Sequence, residues 1–221
     1  MPARQSLTHV AERVVGRHAG RPSRFHTARG DLMPADAWQN LPRLLAKRIQ
    51  GRRQPHPWMV WGAVALLDDA LTPDSRVLEL GSGDSTRWYA RRAGSVLSLE
   101  DNANWATEVA ADLRVAGLLY AEIRHVPTEQ LGPILAGLPP GSFDVVIVDN
   151  DDRPTFTRND AVAIARDLVR PGGLLVLDDA DHPRWAPANE ALGDWEVQRF
   201  VGMKPWPLMA TETAVFRRPG G

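Results

Sequence analysis

The sequence predicts an α/β fold in which helices cover both faces of a doubly wound, mostly parallel β-sheet. Two observations carry this prediction. Segments with the pattern of buried strands alternate with segments that have the pattern of amphipathic helices. In addition, residues 143–148 form a nearly unbroken apolar run, as expected for a strand at the centre of a sheet that is covered on both faces.

Length and composition favour one domain with an appendage. The chain has 221 residues, 43% of them hydrophobic, which suffices for a sizeable core. It contains no cysteine, which excludes a disulfide framework and thiolate metal sites. The longest apolar run, near residues 60–67, is far shorter than the roughly 20 residues that a membrane span requires. Since no secretory signal is visible either, we expect a cytoplasmic protein without a membrane partner.

The strands and helices follow from hydrophobic periodicity and from the residues that end helices. A helical segment begins after Pro34 and ends at Gly51, and a second helix covers 57–71. Two further helices are predicted to end at Ala93 and at Val115. The predicted strands are 77–80, 95–99, 121–126, 143–148, 174–177, 195–201 and 211–217.

The net charge of −1 conceals an uneven distribution of charge. Residues 1–53 contain eleven Lys or Arg and three acidic residues, so the rest of the chain carries a net charge of about −9. We predict a flexible basic arm over 1–30, a helical cap over 31–56 and the main domain over 57–221. The arm has three interpretations: a site for RNA or an acidic substrate, a flexible tail, or a cover that its charge docks onto the acidic domain.

The most informative segment is 77–86, which has the pattern of a buried strand, a glycine turn and the start of a helix. Gly81 and Gly83 can adopt backbone angles that other residues avoid, so the main chain can approach a ligand. The carboxylate of Glu79 would repel a diphosphate but attract an amino group. Glu100, at the end of the next strand, can accept hydrogen bonds from two ribose hydroxyls. The pattern therefore predicts a ligand that combines a ribose with a cationic amino acid.

Four motifs in this order resemble those of the class I S-adenosylmethionine-dependent methyltransferases: VLELGSGDST, VLSLEDN, FDVVIVDN and LVRPGGLLVLDDA. The resemblance covers roughly residues 57–218 and implies a Rossmann-like sheet of seven strands, closed by an antiparallel strand pair. It also implies S-adenosylmethionine as the cofactor. The implied cofactor-binding residues are Glu79, Gly81, Ser82, Gly83, Ser85, Thr86, Glu100, Asp101, Trp105, Thr128, Glu129 and Asp149.

Acidic clusters follow the fourth and fifth parallel strands, where carboxylates that lie together could recruit a hard cation such as Mg²⁺. The sequence here resembles the metal-dependent catechol-type O-methyltransferases, which implies Asp149, Asp178 and Asp179 as metal ligands. One departure is that this family has a lysine three residues after the first aspartate, where this chain has Asp152 followed by Arg153. In the alternative interpretation, these carboxylates cap helices or pair with arginines such as Arg153, Arg158 and Arg184, without a metal.

The resemblance implies transfer of a methyl group to a small hydroxylated molecule, for which a base must accept the hydroxyl proton. The candidates are Asp149, Asp179 and His182. The acidic rim disfavours nucleic acid as the acceptor, and a homodimer is compatible with the sequence. Three alternatives stay open: a cofactor-binding protein that catalyses another reaction such as cyclisation, a nicotinamide-dependent enzyme, and a scaffold without catalysis.

Overall fold

A computed structural model describes residues 21–50, 55–151, 153–204 and 208–220. The first twenty residues of the predicted basic arm lie outside the described residues. The α-helices are α1 (Leu41–Gln50), α2 (Trp61–Ala70), α3 (Asp84–Ala90), α4 (Ala103–Val115), α5 (Thr128–Ala136), α6 (Arg158–Leu168) and α7 (Ala186–Ala191). The strands are β1 (Arg76–Leu80), β2 (Ser95–Glu100), β3 (Ala121–His125), β4 (Phe143–Val148), β5 (Val169–Leu177), β6 (Glu196–Met203) and β7 (Ala210–Arg217). Short 3-10 helices cover Ala35–Asn40 and Pro183–Trp185.

The strands form one sheet in the order β3-β2-β1-β4-β5-β7-β6. Strands β1 to β5 are parallel, whereas β7 runs antiparallel to both β5 and β6. The predicted doubly wound sheet with its closing antiparallel pair is therefore confirmed. The strand order reverses between β1 and β4, and parallel sheets of this kind bind ligands at the carboxyl ends of the strands beside such a reversal.

Strand β4 shows why the sheet is buried on both faces. Val146 and Val148 pack into the apolar cluster on one face of the sheet, and Val145 and Ile147 pack into the cluster on the other. All four are almost completely buried. This agrees with the apolar run in the sequence and fixes the end of β4, where Asp149 follows, at the centre of the carboxyl edge.

Two elements begin four or five residues away from their predicted starts, and α3 ends at Ala90 instead of Ala93. Helix α2 begins at Trp61 because Val60 is extended (ψ 135°), and the Val60 N–H donates to Thr213 Oγ1 at 3.2 Å instead of entering a helix. Strand β5 begins at Val169, five residues earlier than predicted, and passes through Gly173. A Cβ atom at Gly173 would lie 2.8 Å from the Asp144 carbonyl oxygen, so only glycine lets the two strands approach this closely.

Residues 21–33 lie against the carboxyl edge of the sheet. Arg29 Nη2 lies 2.5 Å from Glu212 Oε2, and the Ala28 N–H donates to the carboxylate of Asp181. Met33 packs in a small apolar cluster with Met203. Residues 21–30 of the predicted arm thus contact acidic residues of the main domain. No helix in the described part of the chain is long and apolar enough to span a membrane.

Candidate active site

The glycine turn after β1 lies between the ends of β2 and β4. Gly81 has a φ of +96°, which L side chains rarely adopt, and a Cβ atom there would lie 3.1 Å from the Asp149 carbonyl oxygen. Its N–H donates to the Leu99 carbonyl at 2.9 Å. The turn therefore needs glycine both for its backbone angles and for its approach to the neighbouring strand end.

Glu79 is buried beneath this turn, with 2% of its surface exposed. Its carboxylate accepts hydrogen bonds from the hydroxyls of Ser85, Thr86 and Ser98. Burial raises the pKa of Glu79 to about 7, although these hydrogen bonds oppose the shift. Thr86 in turn accepts the Gly83 N–H at 3.0 Å. Glu79 thus holds the turn and the start of α3 together, in addition to lining the cavity described next.

A cavity of about 220 Å³ opens at the carboxyl ends of β1, β2 and β4. Glu100 lines it and accepts hydrogen bonds from Ser82 Oγ at 2.7 Å and from the Asn102 N–H at 2.9 Å. The Trp105 indole N–H donates to the Ser82 carbonyl at 2.7 Å, which fixes the ring as one wall. Burial raises the pKa of Glu100, and the two hydrogen bonds partly offset this. The cavity thus combines a carboxylate acceptor with an aromatic surface.

Most of the residues expected to bind the cofactor line this cavity. They are Glu79, Gly81, Ser82, Ser85, Glu100, Asp101, Trp105 and Asp149. Gly83 and Thr86 lie beneath it, where they support the turn. Thr128 and Glu129 are not part of the lining: Thr128 Oγ1 donates to Asp101 Oδ2 at 3.2 Å, and Glu129 is exposed on α5. These two positions start a helix that presents Leu131 to the cavity instead.

Asn150 is a lining residue that the sequence analysis missed. It follows Asp149 at the end of β4 and is 6% exposed. Its Nδ2 donates to the Asp151 carbonyl at 3.1 Å, but its Oδ1 has no hydrogen-bond partner among the described residues. A buried acceptor without a partner is unfavourable unless a ligand supplies the donor. The position was visible in the sequence, but an asparagine beside an aspartate carries no pattern that marks it.

A charged cluster adjoins the cavity at the ends of β4 and β5. Arg158 Nη2 donates to Asp149 Oδ1 at 2.8 Å, and Arg158 Nη1 lies 3.8 Å from Asp179 Oδ2. Lys204 Nζ lies 2.7 Å from Asp179 Oδ1 and also contacts the carboxylate of Asp178. Three carboxylates are therefore paired with two cations, which arrive from α6 and from the end of β6.

The three carboxylates differ in pKa because their surroundings differ. Burial raises the pKa of Asp149, and it raises the pKa of Asp178 to about 7; in both cases the nearby cations oppose the shift. Burial acts in the same direction on Asp179, but Lys204 and Arg158 outweigh it and hold the pKa of that carboxyl well below its usual range. Asp149 is therefore a stronger base than Asp179, and its side chain is 36% exposed.

The predicted Mg²⁺ site does not fit this arrangement. Asp149, Asp178 and Asp179 do meet at one edge, as the sequence predicted, but Arg158 and Lys204 already form ion pairs with them. In the part of the chain that the structure describes, no group of three or more His, Asp or Glu side chains could hold a metal ion. The alternative interpretation, in which these carboxylates pair with cations, describes the cluster better.

His182 stands outside the cavity lining and has a structural role. It precedes the 3-10 helix Pro183–Trp185, and its Nδ1 accepts the Arg184 N–H at 3.2 Å. Its ring lies 5.7 Å from that of Trp185. These contacts cap a turn, and they place His182 apart from the other two candidate bases, Asp149 and Asp179.

Comparison with known proteins agrees with this geometry. Residues 78–180, from β1 to just after β5, match a family described as a methyltransferase domain. These residues carry a methyltransferase domain. The match and the strand order together confirm the S-adenosylmethionine-dependent methyltransferase predicted from the sequence. A search of curated proteins gave no match.

Solved structures share the fold of this methyltransferase at low sequence identity. A protein from Klebsiella pneumoniae assigned as an O-methyltransferase is 24% identical, with a TM-score of 0.58 over 81% of this chain and 90% of that chain. An O-methyltransferase from Bacillus cereus in complex with SAH is 16% identical, with a TM-score of 0.54 over 81% and 90%. The [4+2]-cyclase SpnF is 14% identical, with a TM-score of 0.54 over 89% and 97%.

Proposed function

We propose that this methyltransferase transfers a methyl group from S-adenosylmethionine to a hydroxyl oxygen of a small molecule, with Asp149 as the base. One observation carries the proposal: Asp149 lines the cofactor cavity and also belongs to the charged cluster beside it. A methyl group bound in the cavity and an acceptor held at the cluster would therefore meet at this carboxylate.

The residues of the cavity suit S-adenosylmethionine. Glu100 offers a carboxylate for ribose hydroxyls, and Trp105 offers a flat surface for the purine. The unpaired Oδ1 of Asn150 would accept a hydrogen bond from an amino group of the cofactor. A diphosphate is disfavoured, because Glu79, Glu100 and Asp149 all present carboxylates to the same cavity. This argues against the nicotinamide alternative.

The acceptor hydroxyl must lose its proton as the new oxygen–carbon bond forms. When bound, S-adenosylmethionine supplies an activated methyl group and leaves as S-adenosylhomocysteine once its carbon–sulfur bond has broken. Asp149 accepts the hydroxyl proton on its carboxylate, which partial burial makes more basic than a fully exposed aspartate. Arg158 orients that carboxylate through its 2.8 Å hydrogen bond. Orientation of this kind supplies a large part of the catalysis in a displacement that needs no covalent help from the protein.

Transfer of an isotope-labelled methyl group tests the proposal. The wild type is incubated with ¹³C-methyl-labelled S-adenosylmethionine and a panel of phenols, catechols and sugars, with matched amines as controls. We expect a ¹³C signal in the range of methoxy carbons, together with one equivalent of S-adenosylhomocysteine. A signal from a methylated amine alone would contradict oxygen as the methylated atom.

A cyclisation without methyl transfer is the second candidate function, because the cyclase SpnF shares this fold over 89% of the chain. The paired charges of the cluster could stabilise a polar transition state without taking up a proton. The two functions differ in their products. A cyclase would convert its substrate into an isomer of equal mass and would release no S-adenosylhomocysteine.

A further inference from the structure

Lys204 is the one residue of the charged cluster that reaches it from the antiparallel part of the sheet. It follows β6, and its side chain is 10% exposed. Its ammonium contacts the carboxylate of Asp178 and lies 2.7 Å from Asp179 Oδ1. No sequence pattern connects it with these aspartates, which lie 25 and more positions earlier in the chain.

The two aspartates have no other cation as close as Lys204 among the described residues. Asp178 is completely buried, and its remaining side-chain partner is the hydroxyl of Thr213 at 2.7 Å. Asp179 lies 3.8 Å from Arg158 and 2.7 Å from the Thr211 hydroxyl. A buried carboxylate that loses its only close cation is strongly destabilised. The ammonium of Lys204 is therefore a fixed part of the site.

The backbone at Asp179 supports this interpretation. Among the described residues, Asp179 is the only non-glycine residue with a positive φ, at 54°. Such a conformation is unfavourable for a residue other than glycine and persists only where its surroundings hold it. Here Lys204 and Thr211 hold the carboxylate. The unusual backbone conformation therefore coincides with the carboxylate that Lys204 contacts.

We propose that the ammonium of Lys204 takes the place that a divalent cation holds in the metal-dependent catechol-type enzymes. It supplies positive charge between the carboxylates at the ends of β4 and β5 and excludes a metal from them. If the function proposed above is correct, the same ammonium attracts the acceptor oxygen as it gains negative charge.

The proposal predicts that removal of Lys204 creates a metal site. The probe is Mn²⁺, which prefers the same oxygen ligands as Mg²⁺ and can be followed by electron paramagnetic resonance. We expect no specific binding to the wild type. The Lys204→Met variant should bind one Mn²⁺ with a dissociation constant on the order of 1 mM or lower. The double variant Lys204→Met/Asp179→Asn should lose this binding.

A matched control removes a cation elsewhere. Arg199 pairs with Glu212 at 2.6 Å, outside the cluster of three aspartates. Arg199→Met should therefore not bind Mn²⁺. Binding by Arg199→Met equal to that of Lys204→Met would contradict the proposal, because loss of any positive charge would then suffice.

The wild type supplies a test that does not depend on how the variants fold. Specific Mn²⁺ binding by the wild type that Asp179→Asn abolishes would overturn the proposal directly. For the variants, retained binding of S-adenosylhomocysteine shows that the fold is intact. A folded Lys204→Met variant that does not bind Mn²⁺ would also overturn the proposal. None of these measurements needs an acceptor. Failure of methyl transfer would therefore count against the proposed function and not against the replacement of the metal.

Discussion

Arg158 Nη2 lies 2.8 Å from Asp149 Oδ1, while the same carboxylate lines the cavity at the carboxyl ends of β1, β2 and β4. Because Asp149 is both oriented and accessible, we expect Asp149→Asn to lower kcat by on the order of 100-fold or more. Binding of S-adenosylhomocysteine should change by only a few-fold, since the amide keeps the size of the side chain. Steady-state kinetics and calorimetry measure the two effects. Asp194→Asn is a matched control, because Asp194 pairs with Arg166 at 3.3 Å on the exposed surface.

Glu100 should contribute affinity for the cofactor and little to the chemical step. Removal of its carboxylate in Glu100→Ala eliminates charge-assisted hydrogen bonds to the ribose, at a cost of about 2 kcal/mol, or roughly 30-fold in the dissociation constant. Glu122→Ala serves as the control, because Glu122 is an exposed glutamate on β3 that pairs with Arg124. Equal affinities of Glu100→Ala and the wild type in a calorimetric titration would reject the assignment.

Replacement of Asn150 should affect the thermal stability of the cofactor-bound protein more than that of the free protein. Asn150→Ala removes the buried Oδ1 that has no partner, so the melting temperature of the free protein should change little. The stabilisation by S-adenosylhomocysteine should decrease, because affinity falls about fivefold with the loss of ~1 kcal/mol. Thermal unfolding with and without the ligand measures both quantities. A large loss of stability in the free protein, with unchanged stabilisation by ligand, would show that Asn150 is purely structural.

Glu79 should make the stability of the protein depend on pH. Its pKa is raised from 4.5 to about 7 in the folded state. Between these values the folded protein retains a proton that the unfolded chain has lost, so stability is greatest at low pH and falls as the pH rises through this window. The contribution of Glu79 is about 3 kcal/mol at most. Urea unfolding at about pH 5 and about pH 8 should therefore show a smaller loss for Glu79→Gln than for the wild type.

The wild type also contains Asp178, whose pKa is raised to about 7 and which titrates in the same window. Glu79→Gln is therefore expected to retain part of the pH dependence. Identical pH profiles for the variant and the wild type would mean that Glu79 titrates normally in the folded protein.

The sheet and most of the cavity lining could be predicted because both depend on local sequence. The apolar run of β4 and the glycine turn with Gly81 each carry their own pattern, and Glu100 follows a predicted strand directly. The strand order then places Glu100 and Asp149 at the same edge. Local patterns and a known order of strands are sufficient for this half of the site.

The charged cluster could not be predicted in the same way, because its cations are distant in sequence from the aspartates and contact them only in the folded protein. Lys204 meets Asp179 only when β6 and β7 close the sheet, and no fixed spacing in the sequence reports that contact. The acidic residues alone therefore suggested a metal. Thr128 lies outside the cavity lining for a similar reason, since its hydroxyl donates to Asp101 at the start of α5.

The central claim is that the cofactor binds in the cavity that Glu100 lines. Its most direct test is a calorimetric titration of S-adenosylhomocysteine into the wild type and, in parallel, into Glu100→Ala. The account predicts one site in the wild type, with micromolar affinity as an order of magnitude, and binding roughly 30-fold weaker in the variant. Equal affinities of the two proteins would show that the cofactor does not bind in the cavity at Glu100. No binding to the wild type would contradict a cofactor site at the glycine turn.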